Sequence, residues 1–401
     1  MVTVEEAESI VHSQIKDFGT ESISFENALG RVLAEDLAAD RDLPPYDRVS
    51  MDGIAISYRA FESGTKSFQI KATQAAGDTP IDISEPNDCI EIMTGAAMPA
   101  STDTIIRYED LDISNNIATL KIEDVRKGQN AHLKGTDKKQ HDIVAKASQV
   151  IDPALISMAV SIGKTSLLVK KLPEIVIITT GDELVAPNET PSPYQIRRSN
   201  NYSIKTVLQH YCIDADLLHI PDDHAKTKQT LADCFNKYDV IILSGGVSAG
   251  KFDYVPQVLN ELGVEKLFHQ VQQRPGKPFW FGTHEKGNLV FAFPGNPVST
   301  FMCLHRYLLP WLQKSIGLST QNVYATLTDD VIFKPSLKYF LQVKIQVNKQ
   351  GQLLATPLEG RGSGDYANLV DSNAFMELPV ETTNFNKGEV YRVWPFKNLI
   401  Y

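Results

Sequence analysis

Residues 239–300 constrain the fold more than any other stretch of the chain. Asp239-Val240-Ile241-Ile242-Leu243 runs into Ser244-Gly245-Gly246-Val247-Ser248-Ala249-Gly250-Lys251, and an apolar helical pattern from Tyr254 to Leu262 follows. A β-branched run this short suits a buried strand. Glycines at 245, 246 and 250 let backbone N–H groups converge on an anion without interference from a Cβ. Asp253 is expected to N-cap the helix, with Pro256 in its first turn, where a missing N–H costs little. Two further rigid turns, Arg274-Pro275-Gly276-Lys277-Pro278 and Pro294-Gly295-Asn296-Pro297, follow predicted strands. Strand, glycine loop and helix together suit a phosphorylated small molecule.

The pattern around this unit changes along the chain. Residues 4–16 carry a short helical signal, and residues 44–134 break into short strands and turn clusters, as a small β-rich domain would. From Glu174 to about Gly317 strands alternate with helices, which implies an open, mostly parallel sheet with helices on both faces. Val323–Tyr401 returns to period two and reads as a small all-β unit. The expected division is residues 1–43 with 136–172 as an elongated linking domain, 44–135 as the β-rich domain, 173–320 as the α/β domain and 321–401 as the terminal β domain.

Composition excludes several classes. The 401 residues carry 39 basic and 49 acidic side chains, a net charge of −10, which argues against nucleic-acid or anionic-membrane binding. An anionic ligand must then be met by local clusters. Glu5, Glu6 and Glu8 interrupt any early apolar region, and no apolar run approaches the roughly 20 residues of a membrane span, so a cytoplasmic protein is expected. Cys89, Cys212, Cys234 and Cys303 lack any paired spacing for zinc or redox work and read as reduced structural thiols.

Several motifs compete at the glycine loop. Gly245 to Lys251 matches a P-loop until Phe252, which stands where a Mg²⁺-binding Ser or Thr is required. Gly163-Lys164-Thr165 supplies that tail, but Met158 stands where the first glycine belongs. Gly246-Val247-Ser248-Ala249-Gly250 fits a nucleophile elbow, yet the helix begins about five residues too late for one. Ser248 is therefore expected to bind a ligand oxygen rather than to attack.

Carboxylates gather at the expected ligand rim. Thr180-Gly181-Asp182-Glu183-Leu184 closes the first strand of the α/β region, and Pro221-Asp222-Asp223-His224 closes the next. Ligands of such sheets sit off the carboxyl ends of the strands. Asp182, Glu183 and Asp222 could hold Mg²⁺ between protein and ligand oxygens; each Asp could equally cap the following helix, the preferred role for Asp223. Arg274 and Lys277 are candidates for neutralising ligand phosphate, as are Arg197 and Arg198, which could as well begin a solvated helix. The histidines form no metal-ligand spacing, and Phe279 and Trp280 read as core aromatics.

Six ordered motifs then resemble one family. They are Asp47-x-x-x-Met51-Asp52-Gly53, Thr94-Gly95-Ala96-x-x-Pro99, Thr180 to Leu184, Ser244-Gly245-Gly246-Val247-Ser248-x-Gly250, Pro275 to Pro278 and Pro294 to Pro297. The chain resembles the molybdopterin molybdenumtransferases, which include the MoeA enzymes and the gephyrin E domain. The resemblance implies an α/β-plus-β, multidomain, elongated subunit with a β-rich domain, a doubly wound MogA-like domain and a C-terminal barrel-like domain. It implies a homodimer whose active site is shared between subunits, with a molybdopterin adenylyltransferase as a candidate partner. The implied reaction takes adenylyl-molybdopterin and molybdate and releases AMP with Mg²⁺ present. By the same resemblance Gly245, Gly246, Ser248, Gly250, Arg274, Lys277, Pro294 and Pro297 would shape the pterin-phosphate site. Asp52, Thr94 and Asp137 would face it from the other subunit, and Glu183, Asp222 and Asp253 would handle cation and oxyanion.

The chain departs from the family pattern at His132, where Arg is usual, at Thr136, at Gln270 and at Arg274. These leave room for tungstate handling or a diverged paralogue. A different enzyme on the same α/β domain and a non-enzymatic molybdopterin-binding scaffold are the other classes; the carboxylates at 52, 183, 222 and 253 favour catalysis.

Overall fold

The structure is a computed structural model that describes residues 1–247, 254–358 and 360–397. Its centre is a six-stranded sheet ordered 216–220, 175–180, 240–244, 289–293, 280–284, 264–269. The first four strands run parallel, and the last two add an antiparallel edge. Every residue of Ile175–Thr180, Val240–Ser244 and Leu289–Phe293 is buried. Both faces must therefore be apolar, which is why these strands read as continuous runs rather than alternating ones.

The strands sort their side chains by parity. Ile175, Ile177, Val240, Ile242 and Phe291 pack with Ile204 and Leu208 of helix Asn200–Gln209 and with Met302, Leu308 and Trp311 of the 297–315 helical run. Val176, Ile178, Ile241 and Leu243 pack on the opposite face with Leu231 of helix His224–Cys234 and Val258 of helix Val255–Glu261. This is the doubly wound sheet the alternation implied. The N-terminal helix Val4–His12 joins the first layer through Val4, Ala7 and Val11, and a reciprocal Thr3–Glu6 capping box fixes its start.

The C-terminal strands close into a barrel. Lys338–Val347, Leu353–Pro357, Val323–Leu327, Val390–Pro395 and Ala374–Leu378 pair in that order, and the last returns to the first. Gln273–Arg274 pairs in parallel with Lys338–Tyr339, so the turn that follows Arg274 lies where the α/β sheet meets the barrel. A separate six-stranded sheet, ordered 104–107, 53–56, 88–92, 67–74, 117–120, 111–114, forms the β-rich unit. The flanking segments find each other: Thr20–Ser24 pairs with Ser166–Lys170, and Leu37–Ala38 with Ile143–Ala145.

The shape follows from this division. The chain exposes 20,411 Å² for a mass of 44.5 kDa. A compact monomer of that mass would expose roughly 15,600 Å². The excess is what separate lobes with their own cores produce, and four of the buried clusters lie in different lobes. Among the described residues no helix is long and apolar enough to cross a membrane.

Helix Val255–Glu261 has Pro256 in its first turn, and Asp253, its expected N-cap, lies outside the described residues. One local expectation is corrected. Arg197 does not start a helix: Ile196–Arg197 pairs with Leu184–Val185 as a short parallel ladder, and the helix begins at Asn200. Extended pairing at this edge wins over the polar composition that suggested a helix start.

Candidate active site

The parallel strands deliver their loops to one rim. A cavity of about 290 Å³ there is lined by Thr180, Gly181, Glu183, Asp222, Gly245 and Gly246, with Pro278, Pro294 and Asn296 on its other side. Gly246 has φ +69°, and a Cβ there would lie 2.8 Å from both Thr180 Oγ1 and Val255 Cγ2. Only glycine fits a left-handed position packed this closely. Ser248, Gly250 and Asp253 lie outside the described residues.

The carboxylates divide by what they touch. Asp223 caps its helix through the Lys226 N–H at 2.8 Å, as expected. Asp182 accepts from the Asp222 N–H at 3.2 Å, tying the two strand-end loops together rather than capping a helix. Glu183 and Asp222 line the cavity, are exposed, and among the described residues their carboxylates have no hydrogen-bond or ion-pair partner. Glu183 folds over Gly181, where a Cβ would meet its Oε2 at 2.5 Å. Two unpaired oxygen donors facing a glycine loop suit a hard cation shared with substrate phosphates. Among the described residues there is no cluster of three His, Cys, Asp or Glu placed to hold a metal.

A larger cavity of about 450 Å³ adjoins the first and shares Pro278, Pro294 and Asn296 with it. Arg274 and Lys277 line it from the α/β unit, and Tyr339, Gln342 and Ser363 from the barrel. Both cations are exposed, and among the described residues neither has a carboxylate partner. The turn that carries them is fixed from below by buried Gln273, whose Nε2 donates to Gly276 O at 3.0 Å while its Oε1 accepts from Tyr307 Oη. Pro297 starts the next helix at its N-terminus, and Pro294 O accepts from Thr300 Oγ1. Arg197 and Arg198 line neither cavity.

Sequence reasoning missed Asn200. Its Nδ2 donates to Ser244 Oγ at 2.9 Å and to Gly295 O at 2.8 Å, latching the strand before the glycine loop to the Pro294–Pro297 turn. A Cβ on Gly295 would lie 3.6 Å from Gly245 Cα, so the two glycine segments are in contact. Asn296, which donates to Ser363 Oγ at 2.8 Å, was also missed and extends the link to the barrel side. No spacing in the sequence signals contacts between residues this far apart.

The β-rich unit holds a second group. Asp52 accepts from both the backbone N–H and the hydroxyl of Thr94, at 2.6 and 2.7 Å. These bonds, the backbone one first, hold its carboxyl below the usual range. His132 links Arg48 Nη2, 3.3 Å from its Nδ1, to Asp137 Oδ1, 2.9 Å from its Nε2. Arginine can only donate, so Nδ1 accepts and Nε2–H donates to Asp137. The 48–49 strand pairs with 131–132 on one side and bridges Ala97 on the other, which gathers Asp52, Thr94 and Asp137 around one segment. None of them lines the two cavities of the same chain.

A doubly wound sheet with a glycine-lined, carboxylate-rimmed cavity at its strand ends is the architecture of an α/β ligand-binding protein. Comparison with known proteins narrows this. Residues 2–163 match the MoeA N-terminal region (domain I and II), residues 176–314 a probable molybdopterin binding domain, and residues 324–396 the MoeA C-terminal region (domain IV). A molybdopterin molybdenumtransferase from Synechocystis is 37% identical over 396 residues, covering 98% of this chain and 99% of that one. One from Staphylococcus epidermidis is 27% identical over 98% of this chain and 95% of its own. A solved molybdopterin biosynthesis MoeA protein from Pyrococcus horikoshii superposes with a TM-score of 0.81 at 26% identity, covering 99% of this chain and all of the other. The chain belongs to the molybdopterin molybdenumtransferase family.

Proposed function

We propose that this protein is a molybdopterin molybdenumtransferase that takes adenylyl-molybdopterin and molybdate, inserts the metal at the dithiolene and releases AMP. The observation that carries the reading is the pair of adjoining cavities. One is lined by glycines and by two carboxylates that have no partner among the described residues, and the other by two cations on a rigid turn that have no carboxylate partner among them. A pterin phosphate on the glycine loop would place its pyrophosphate toward Glu183 and Asp222. These two would hold Mg²⁺, which supplies charge screening at the pyrophosphate. Lys277 and Arg274 then provide local positive charge for an incoming oxyanion, on a chain whose overall charge of −10 would repel it.

Asp52, Thr94 and Asp137 enter this reading through a homodimer in which the β-rich unit of one subunit covers the cavities of its partner. Closure would exclude water from labile metal-oxo chemistry. Thr94 keeps Asp52 ionised and aimed, and the His132 hydrogen bond orients Asp137. The test mixes two inactive proteins, Asp52→Ala and Glu183→Ala, under conditions where subunits exchange. The reading expects molybdate-dependent AMP release to return in the mixture, since one of the two sites in a mixed dimer carries both intact halves. A mixture as inactive as its components would sink the shared site.

A further inference from the structure

A separate cavity of about 310 Å³ lies where the N-terminal helix, the helix ending at Ser315, the 319–323 connector and the last barrel strand meet. Glu8, His12, Tyr211, His305, Arg392 and Trp394 line it. Its size is at the lower end of what holds a small metabolite, roughly 300 Å³ and upward.

Its charges do not balance. Arg306, beside it, is buried and matched by Glu8 at 2.8 Å and Glu377 at 3.2 Å. Arg392 is not: among the described residues it has neither hydrogen bond nor ion pair, and its guanidinium lies 4.0 Å over the Trp394 ring. Lys314 Nζ meets only His12 Nδ1, at 3.1 Å, among the described residues. A lysine ammonium only donates, so His12 accepts at Nδ1 and keeps an N–H at Nε2. Burial, and then Lys314, hold His12 below the usual imidazole range; burial, and then Arg306, lower Arg392 in the same sense. His305 adds no charge, since burial pushes it down to about 4 while its Nδ1–H donates to Phe301 O at 2.8 Å. Glu8 and Glu377 offset part of this charge through space, but Arg306, Arg392 and Lys314 outnumber them, and an anion in the cavity would balance the excess.

We propose that this cavity is a second ligand site, for a small metabolite carrying a phosphomonoester or carboxylate oxyanion. Arg392 supplies the forked donor such a group takes in bidentate fashion, and His12 Nε2–H a further donor. The lining comes from both the α/β unit and the barrel, so the bound anion braces their junction and raises the melting temperature.

The test titrates the full-length protein calorimetrically with inorganic phosphate and, separately, acetate, at constant ionic strength. Wild type, Arg392→Gln, Arg392→Lys and Lys277→Gln are compared. Saturable binding of at least one anion is expected, weakened roughly tenfold or more in Arg392→Gln. Arg392→Lys should recover only part of it, since an ammonium cannot reproduce the fork, and the component that depends on Arg392 should persist in Lys277→Gln, which removes only anion binding at the active-site turn. Preference for phosphate identifies a phosphomonoester ligand, and preference for acetate a carboxylate. Melting curves without anion report whether each variant is folded; if Arg392→Gln is not, Lys314→Met is read in its place with the same expectation. Binding unaltered by the variants at 392 and 314, binding lost only in Lys277→Gln, or no saturable binding of either anion overturns the proposal.

Discussion

Removing the Asn200 amide should disable the site without touching substrate. Asn200→Ala deletes the donor to Ser244 Oγ at 2.9 Å and to Gly295 O at 2.8 Å. Ser244 is only 3% exposed, so its hydroxyl loses its partner in a place water does not readily reach. Two lost bonds at about 0.5–1.5 kcal/mol each, with about 1–3 kcal/mol for an unpaired buried hydroxyl, bring the expected loss to roughly 2–6 kcal/mol. Gly295 O is solvent-facing and recovers part of its share from water, which favours the lower half of that range. If the loss appears as misplacement of the glycine loop, kcat/KM for AMP release falls by roughly 30- to several-hundred-fold, at about 1.4 kcal/mol per factor of ten. Asn200→Asp keeps the size but turns an acceptor toward Gly295 O, so it should be no better than Ala. Melting curves alongside the kinetics separate stability loss from site loss. Turnover by both variants within about twofold of wild type, with unshifted melting, would falsify the latch.

Other outcomes follow from the same geometry. Glu183→Gln and Asp222→Asn should each abolish Mg²⁺-stimulated AMP release while leaving the melting curve in place, because neither carboxylate has a structural partner among the described residues; retained release in both would contradict the cation assignment. Thr94→Val removes one of two bonds that lower the Asp52 pKa. The ionised Asp52 is present above its pKa and lost as pH falls through it, so in this variant its NMR titration, and the acidic limb of activity, should move to higher pH; an unmoved titration refutes the link. Gly246→Ala places a Cβ 2.8 Å from Thr180 Oγ1 and Val255 Cγ2 at φ +69°, so strain and overlap should cost roughly 2–5 kcal/mol in urea unfolding or displace the loop. Glu377→Leu strips a partner from buried Arg306, and unfolding should be easier by about 3–5 kcal/mol; a neutral result would mean that Glu8 alone satisfies the guanidinium.

What the sequence made legible was whatever depends on local pattern. Val240–Ser244 and Ile175–Thr180 were readable because a strand covered on both faces must be apolar throughout, and Pro275–Pro278 because proline and glycine fix a turn by themselves. The ordered motifs carried the family. The supports under the site were not legible, because they are long-range. Gln273, Tyr307 and Asn200 are ordinary polar residues until the fold brings Gln273 under Gly276 and Asn200 against Gly295. Arg197 was misread because pairing with Val185 is decided by tertiary context rather than composition.

The central claim rests on one turnover experiment. Purified protein is given adenylyl-molybdopterin, Mg²⁺ and molybdate, and AMP release is followed together with formation of the metal-loaded cofactor, beside Glu183→Ala. The account predicts AMP and loaded cofactor appearing together, dependent on molybdate and lost in the variant. Tight pterin binding with no AMP release under either molybdate or tungstate would contradict it and leave a binding scaffold in its place.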